Sequence, residues 1–171
     1  MAVPKSQERG AEEAQATMTI PFSISINSNL GYLVFPESNS IVYLTFRREN
    51  LQDDAAWARM LLDPSTEFMM QRRELTQSDK VLIISEILSQ IPSFCPVALE
   101  YEGNHYLVLA QRDENRVPVW DNARVFRFDE NGRPVELTEF SDERRLSIEA
   151  AKSEYAADSE FYDRNLPKLP P

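Results

Sequence analysis

The 171-residue chain carries 28 acidic and 18 basic side chains, for a formal net charge of -10, and 42% of its residues are hydrophobic. This is enough apolar material for the core of one domain, and no apolar run predicts a transmembrane helix. Nonspecific binding to nucleic acid or to an anionic membrane needs a basic face, so the acidic balance argues against both and favours a basic protein partner.

The rare residues narrow the chemistry further. One cysteine excludes an internal disulfide framework, and one cysteine with one histidine cannot build a closed zinc site. Only 4 glycines occur, and neither standard glycine-rich phosphate loop is present. We therefore expect no cofactor and no metal. The charged residues 1–17 lack the apolar stretch of a secretory signal, so we expect a cytoplasmic protein.

The first part of the chain predicts strands. Residues 1–17 lack hydrophobic periodicity and are interpreted as a disordered tail. Residues 19–26 alternate apolar and small polar side chains, and two further strands are predicted at 32–35 and 41–46. Turn-forming residues separate the three strands, so we expect a meander.

Helices are predicted in the middle of the chain. Residues 50–62 form a helix that Asp63-Pro64 ends, and residues 65–75 form a short helix or an irregular connection. Residues 78–90 show the clearest helical spacing of apolar residues, with Thr76 or Ser78 as the cap.

The second half predicts strands at 97–101, 106–110, 117–120, 124–128 and 135–137, and then a helix that starts at Ser141. Hairpin-joined strands with grouped helices indicate an α+β fold: a mainly antiparallel sheet of about 7–8 strands, in meander and hairpins, with two or three helices packed on it. We expect one domain over residues 18–157 and a Pro-rich C-terminal tail over 158–171.

One catalytic possibility rests on His105 and Asp121. His105 opens a predicted strand and Asp121 ends the next, where an acid could orient the imidazole. The sequence PVALEYEGNHYLVLAQ, with WDN after it, resembles the half of papain-like cysteine peptidases that carries the histidine and its Asp or Asn partner. The resemblance implies an enzyme or a degenerate enzyme. In that family the nucleophilic cysteine precedes the histidine at the start of a helix, and this chain has no cysteine before Cys95.

Cys95 does not replace the missing nucleophile. With a turn at 102–104, His105 pairs near Tyr101, and Cys95 lies about 20 Å away along the hairpin. That distance is far outside hydrogen-bond reach. We therefore interpret Cys95 as a small buried side chain.

The leading interpretation is a small acidic, non-catalytic protein-binding module, such as a toxin-neutralising immunity protein or a secretion chaperone. A structural subunit of a larger assembly is a further alternative, so self-association is possible. Acidic residues would steer association and exposed aromatic residues would supply affinity. The predicted binding residues are Trp120, Tyr106, Glu102, Asp113 and Glu114.

Overall fold

The computed structural model describes residues 23–27, 30–35, 40–45, 53–70 and 75–167. Within these ranges the chain forms eight strands and four helices. The predicted α+β class is confirmed. The strands are β1 Ser23–Asn27, β2 Leu30–Phe35, β3 Ser40–Thr45, β4 Phe68–Met70, β5 Phe94–Tyr101, β6 Asn104–Arg112, β7 Pro118–Phe128 and β8 Pro134–Glu136. The helices are α1 Asp54–Leu61, α2 Gln77–Ser89, α3 Asp142–Ala157 and α4 Ser159–Tyr162.

The first sheet contains β1, β2, β3 and β4 in that order, and all its neighbours are antiparallel. The expected meander of the first three strands is confirmed. The segment 65–75 differs from both structures predicted for it, because Phe68–Met70 is a strand that pairs with Val42–Leu44 of β3. A short apolar run fits a strand edge as well as a helix, and periodicity alone does not separate the two.

The second sheet contains β5, β6, β7 and β8, also antiparallel and in chain order. The two-residue turn between β5 and β6 has positive φ at Glu102 (52°) and Gly103 (78°), which is the backbone that tight hairpins need. The two strands predicted at 117–120 and 124–128 are one strand, β7. Its pairing is irregular, since residues 120–123 face only Ala110 of β6.

The described strands do not form the single large sheet that the sequence predicts. They divide into two sheets of four, because β4 pairs only with β3 and β5 pairs only with β6. Helix α2 lies between these strands in sequence and packs against β5 and β6. The boundary between the two sheets therefore coincides with α2, which lies between β4 and β5 in the sequence.

The second sheet is buried on both faces. One face packs against α1, α2 and Val42 of β3, through side chains that include Leu107, Leu109, Phe126 and Phe128. The opposite face packs against α3 and α4 through a second cluster of buried side chains. Its buried members are Cys95, Val97, Leu99, Tyr106, Val108, Ala110, Ala123, Val125, Ala151, Phe161 and Tyr162. Alternation along the strands thus sends successive side chains into two separate cores.

Helix α2 shows why its prediction holds. Thr76 accepts the Asp79 amide, and the Asp79 carboxylate accepts the Thr76 amide, which together form a capping box. Five side chains of the helix are buried against the sheet: Val81, Ile83, Ile84, Ile87 and Leu88. The helix predicted over 78–90 is therefore confirmed within one residue at each end.

Residues 158–167, assigned to a tail from the sequence, contain α4 and pack on the domain. Phe161 and Tyr162 are buried. The Arg112 guanidinium, 2% exposed, donates to the Tyr162 carbonyl and to the Asp163 carboxylate at 2.9 and 2.7 Å. The packed part of the chain thus continues beyond residue 157. The predicted tail at 1–17 lies outside the described residues.

Candidate functional site

The structure separates the predicted catalytic pair. His105 lies opposite Phe128 of β7, and Asp121 is seven residues from Phe128 along that strand. This spacing places the two side chains roughly 20 Å apart, so Asp121 cannot orient the imidazole. The partner of His105 is Glu100, directly opposite on β5, with 3.1 Å between Nε2 and Oε2. The proposed His105–Asp121 pair was therefore wrong, because the two residues stand at different ends of β6 and β7.

Cys95 is a buried thiol, as expected. It is fully buried and pairs opposite Ala110 on β6, whereas His105 pairs opposite Glu100. Burial raises the pKa of the Cys95 thiol to about 12. At neutral pH such a thiol stays protonated and is a poor nucleophile.

Tyr106, predicted as an exposed binding residue, belongs to the core. Its side chain is 1% exposed, and its ring stacks on Tyr101 with 4.6 Å between the ring centres. Its hydroxyl donates to Glu143 of α3 at 2.6 Å, and Arg127 donates to both oxygens of the same carboxylate at 3.0 and 2.8 Å. Tyr106 therefore fixes the first turn of α3 on the sheet instead of meeting a partner.

The three predicted acidic contacts are exposed but do not form one surface. Glu102 lies in the turn before β6, whereas Asp113 and Glu114 lie in the turn after it. Nine residues of strand separate the two turns, about 30 Å. The Asp113 carboxylate also has a structural task, since it accepts the amides of Asn115 and Val117 at 2.8 and 3.0 Å.

Trp120, the remaining predicted residue, lines a groove between β7 and one face of α3. The groove has a volume of about 540 Å³. It is lined by Trp120, Asp121, Phe140, Ser141, Asp142, Arg144, Arg145, Ile148, Glu149 and Lys152. The irregular stretch of β7 supplies the first two residues, and helical spacing brings the α3 residues onto one face.

Phe140 is the unexpected member of this groove. Its side chain is fully exposed, at 101% of the reference area, and the guanidinium carbon of Arg144 lies 5.8 Å from its ring centre. Trp120 is half-buried and lies against Tyr155, with 5.9 Å between the ring centres. One aromatic ring is thus anchored in the domain while the other stands in solvent.

A local sequence signal could have found Phe140. It directly precedes Ser141, which accepts the Arg144 amide as the N-cap of α3. An apolar residue at this position often packs against an apolar residue four positions after the cap. That position is Arg145, a cation with carboxylate partners, so Phe140 has no apolar residue to pack against there.

The charges of the groove are balanced. Arg144, Arg145 and Lys152 face the same space as three acids, Asp121, Asp142 and Glu149. Arg145 lies 3.5 Å from both Asp142 and Glu149. The groove is therefore not an acidic patch, although the chain as a whole carries a net charge of -10.

Comparisons with protein families, with curated proteins and with solved structures found no match. In the described ranges, no three His, Cys, Asp or Glu side chains are grouped so that they could hold a metal ion. None of the helices that can be described is both long and apolar enough to cross a membrane. Among the described residues, the groove beside Trp120 and Phe140 is the candidate site.

Proposed function

We propose that this protein is a small non-catalytic module that binds another protein through the groove between β7 and α3. The observation that carries the proposal is Phe140, fully exposed beside the half-buried Trp120. Burying a phenylalanine side chain is worth about 1.5–3 kcal/mol, and aromatic anchors at a concave surface are typical of interface hot spots. A partner side chain seated between the two rings would cover both.

The partner that fits is a protein with a basic surface. A net charge of -10 accelerates the approach of such a partner over long range, while Trp120, Phe140 and Ile148 supply the apolar part of the contact in the charge-balanced groove. Neutralising a toxin or escorting a secreted protein in the cytoplasm are functions in this class that suit the size and acidity of the chain. The acids at Glu102, Asp113 and Glu114 would contribute to the long-range field and not to the contact.

The test compares three variants of the full chain in pull-downs from native cell extract. Phe140→Ala and Trp120→Ala should each lose a partner that the wild-type chain retains. Leu146→Ala is the matched control, since Leu146 is an exposed apolar residue of the same helix that does not line the groove. Equal recovery of the partner by the Phe140 and Leu146 variants would rule out the groove as the contact surface.

Purified components then measure the strength of the contact. Once the partner is identified, we expect Phe140→Ala to weaken the Kd by about 30-fold or more, since a hot-spot truncation costs about 2 kcal/mol. Charge reversal at Glu102 should mainly slow association at low salt. Light scattering of the purified chain measures its oligomeric state and so distinguishes a binding module from a structural subunit. If the chain is a homo-oligomer and Phe140→Ala dissociates it, the groove is a contact between copies of this chain.

A further inference from the structure

Most of the charges in the groove between β7 and α3 already have partners within the chain. Arg145 forms ion pairs at 3.5 Å with Asp142 and Glu149, so these three side chains compensate one another. Arg144 donates to a backbone carbonyl of β7 at 3.2 Å and so joins the two walls of the groove. Four of the six charged side chains that line the groove are therefore engaged inside the protein.

Asp121 and Lys152 are the two charged side chains of the groove that remain available. Both are exposed, and among the residues that the structure describes neither has a hydrogen-bond or ion-pair partner. Asp121 belongs to β7 and Lys152 to the second half of α3, so the two charges stand on different walls. The groove therefore offers a partner one hydrogen-bond acceptor and one donor, with opposite charges.

The length of the groove indicates how much of a partner it can hold. Its α3 wall extends from Ser141 to Lys152, and this stretch of helix is about 16 Å long at a rise of about 1.5 Å per residue. An extended chain advances about 3.3 Å per residue, so about five residues cover this distance. The side chain that sits between Trp120 and Phe140 is then one residue of a short extended segment.

We propose that the groove recognises an extended segment that carries an acidic side chain for Lys152, a basic side chain for Asp121 and an apolar side chain for Trp120. This inference rests on the proposed function, because it assigns the chemistry of the segment that enters the groove. The basic surface of the partner accelerates association over long range, whereas the two charge contacts select the segment. A segment with a second basic residue in place of the acid is disfavoured, since that residue faces Lys152.

The experiment selects peptides from a random linear library displayed on phage, with the full chain as the immobilised target. We expect the wild type to enrich peptides that carry an acid and a base within about five residues of each other, with an apolar residue nearby. With Lys152→Glu as the target, a base should replace the enriched acid, and with Asp121→Lys an acid should replace the enriched base. Arg133→Glu is the matched control, because it reverses an exposed cation outside the groove and should leave the enriched pattern unchanged.

One enriched peptide, synthesised with a fluorescent label, then measures each charge contact by anisotropy. Lys152→Glu should weaken its Kd by about fivefold or more, because an exposed ion pair becomes a repulsion. Replacing the acid of the peptide with lysine should restore the affinity for Lys152→Glu and not for the wild type. This exchange isolates the contact, since it reverses both members of one pair. Circular dichroism checks that every variant is folded.

Two outcomes overturn the inference: the wild type enriches no peptide, or the wild type and Lys152→Glu enrich the same charge pattern. After the first outcome the pull-downs still test the groove, and after the second Phe140→Ala tests it. If Phe140→Ala weakens binding of the enriched peptide while the charge variants do not, the inference is wrong and the groove remains the contact surface. Equal binding by Phe140→Ala and the wild type, in contrast, rules out the groove itself.

Discussion

At the scale of single residues, Arg112 joins parts of the chain that are distant in sequence. Its buried guanidinium donates to the Tyr162 carbonyl at 2.9 Å and to the Arg116 carbonyl at 2.9 Å, and its Nε donates to the Phe94 carbonyl at 3.0 Å. The Asp163 carboxylate accepts from the same guanidinium at 2.7 Å and also from the Tyr155 hydroxyl. Removing the Arg112 side chain takes a donor from three backbone carbonyls and one carboxylate at once, so Arg112 is a structural contact of the C-terminal segment.

We expect Arg112→Ala to lower the free energy of unfolding by about 1–3 kcal/mol, because buried carbonyl acceptors lose their donor. Urea denaturation followed by tryptophan fluorescence measures the change. Arg145→Ala is the control, since its two ion pairs at 3.5 Å are exposed and worth about 0.5 kcal/mol or less. Similar losses for the two variants would show that the Arg112 contacts do not hold the C-terminal segment.

Glu143 gives the chain an acid-sensitive contact. The Tyr106 hydrogen bond and then the Arg127 guanidinium lower the pKa of Glu143, against the opposing effect of burial. A carboxyl whose folded pKa is lowered adds stability above its unfolded pKa, about 4.3, and this stability is lost as the pH falls through the folded pKa. Desolvation and the bond to Glu143 raise the pKa of Tyr106 in turn.

Tyr106→Phe should therefore lower stability at pH 7 by about 1.5–3 kcal/mol, the cost of a hydrogen bond to a charged group, and make the loss of stability below pH 5 shallower. Urea midpoints between pH 7 and pH 3 measure both effects. Tyr101→Phe is the matched control, since the Tyr101 hydroxyl contacts the neutral Ser147 hydroxyl at 2.8 Å. It should lose stability without changing the pH dependence; a pH dependence of Tyr106→Phe equal to the wild type would contradict the assignment.

At the scale of elements, the sequence predicted the features that depend on neighbouring residues, namely the helices and their caps. The cap at Ser141 and the apolar spacing of α2 were identified because capping and helical periodicity act within a few residues. The division into two sheets depends on pairing between distant strands, which no local pattern encodes. For the same reason the His105–Asp121 pair was wrong, since its geometry depends on the register of β6 against β7. The sequence singled out Trp120, which lines the groove, whereas Phe140 was missed although it stands next to a recognised cap.

The capping box of α2 offers a test of its own. Thr76→Ala removes the acceptor of the Asp79 amide and should lower the free energy of unfolding by about 1 kcal/mol. Thermal unfolding measures the difference. Thr76→Ser keeps the hydroxyl and should retain most of the stability, so an equal loss in both variants would mean that the hydroxyl does not act as the cap.

At the scale of the whole molecule, the second sheet separates two cores, and only one of them is closed by residues 159–162. Cys95 lies fully buried in that core with Phe161 and Tyr162. Its reactivity therefore reports whether the C-terminal segment is in place. The opposite core, beneath α1 and α2, contains no cysteine among its buried residues.

We expect Cys95 of the native chain to react slowly with a thiol reagent such as DTNB, both because it is buried and because its pKa is raised to about 12. Phe161→Ala should accelerate the reaction by at least about tenfold. The large-to-small substitution weakens the packing of α4 on the sheet, so that local unfolding exposes the thiol more often. Leu146→Ala, on an exposed position, should leave the rate unchanged. A rate that Phe161→Ala does not alter would show that other elements protect the thiol.

The late position of α4 has a consequence for synthesis on the ribosome. The strands β5, β6 and β7 can pair as soon as they emerge, but α3 covers only part of their Cys95 face, and the cover is complete only when residues 161 and 162 have also emerged. The nascent chain therefore passes through a stage in which a formed sheet has part of one apolar face open to water. A pause or a premature stop after α3 would prolong that stage, and the released fragment would be prone to aggregate.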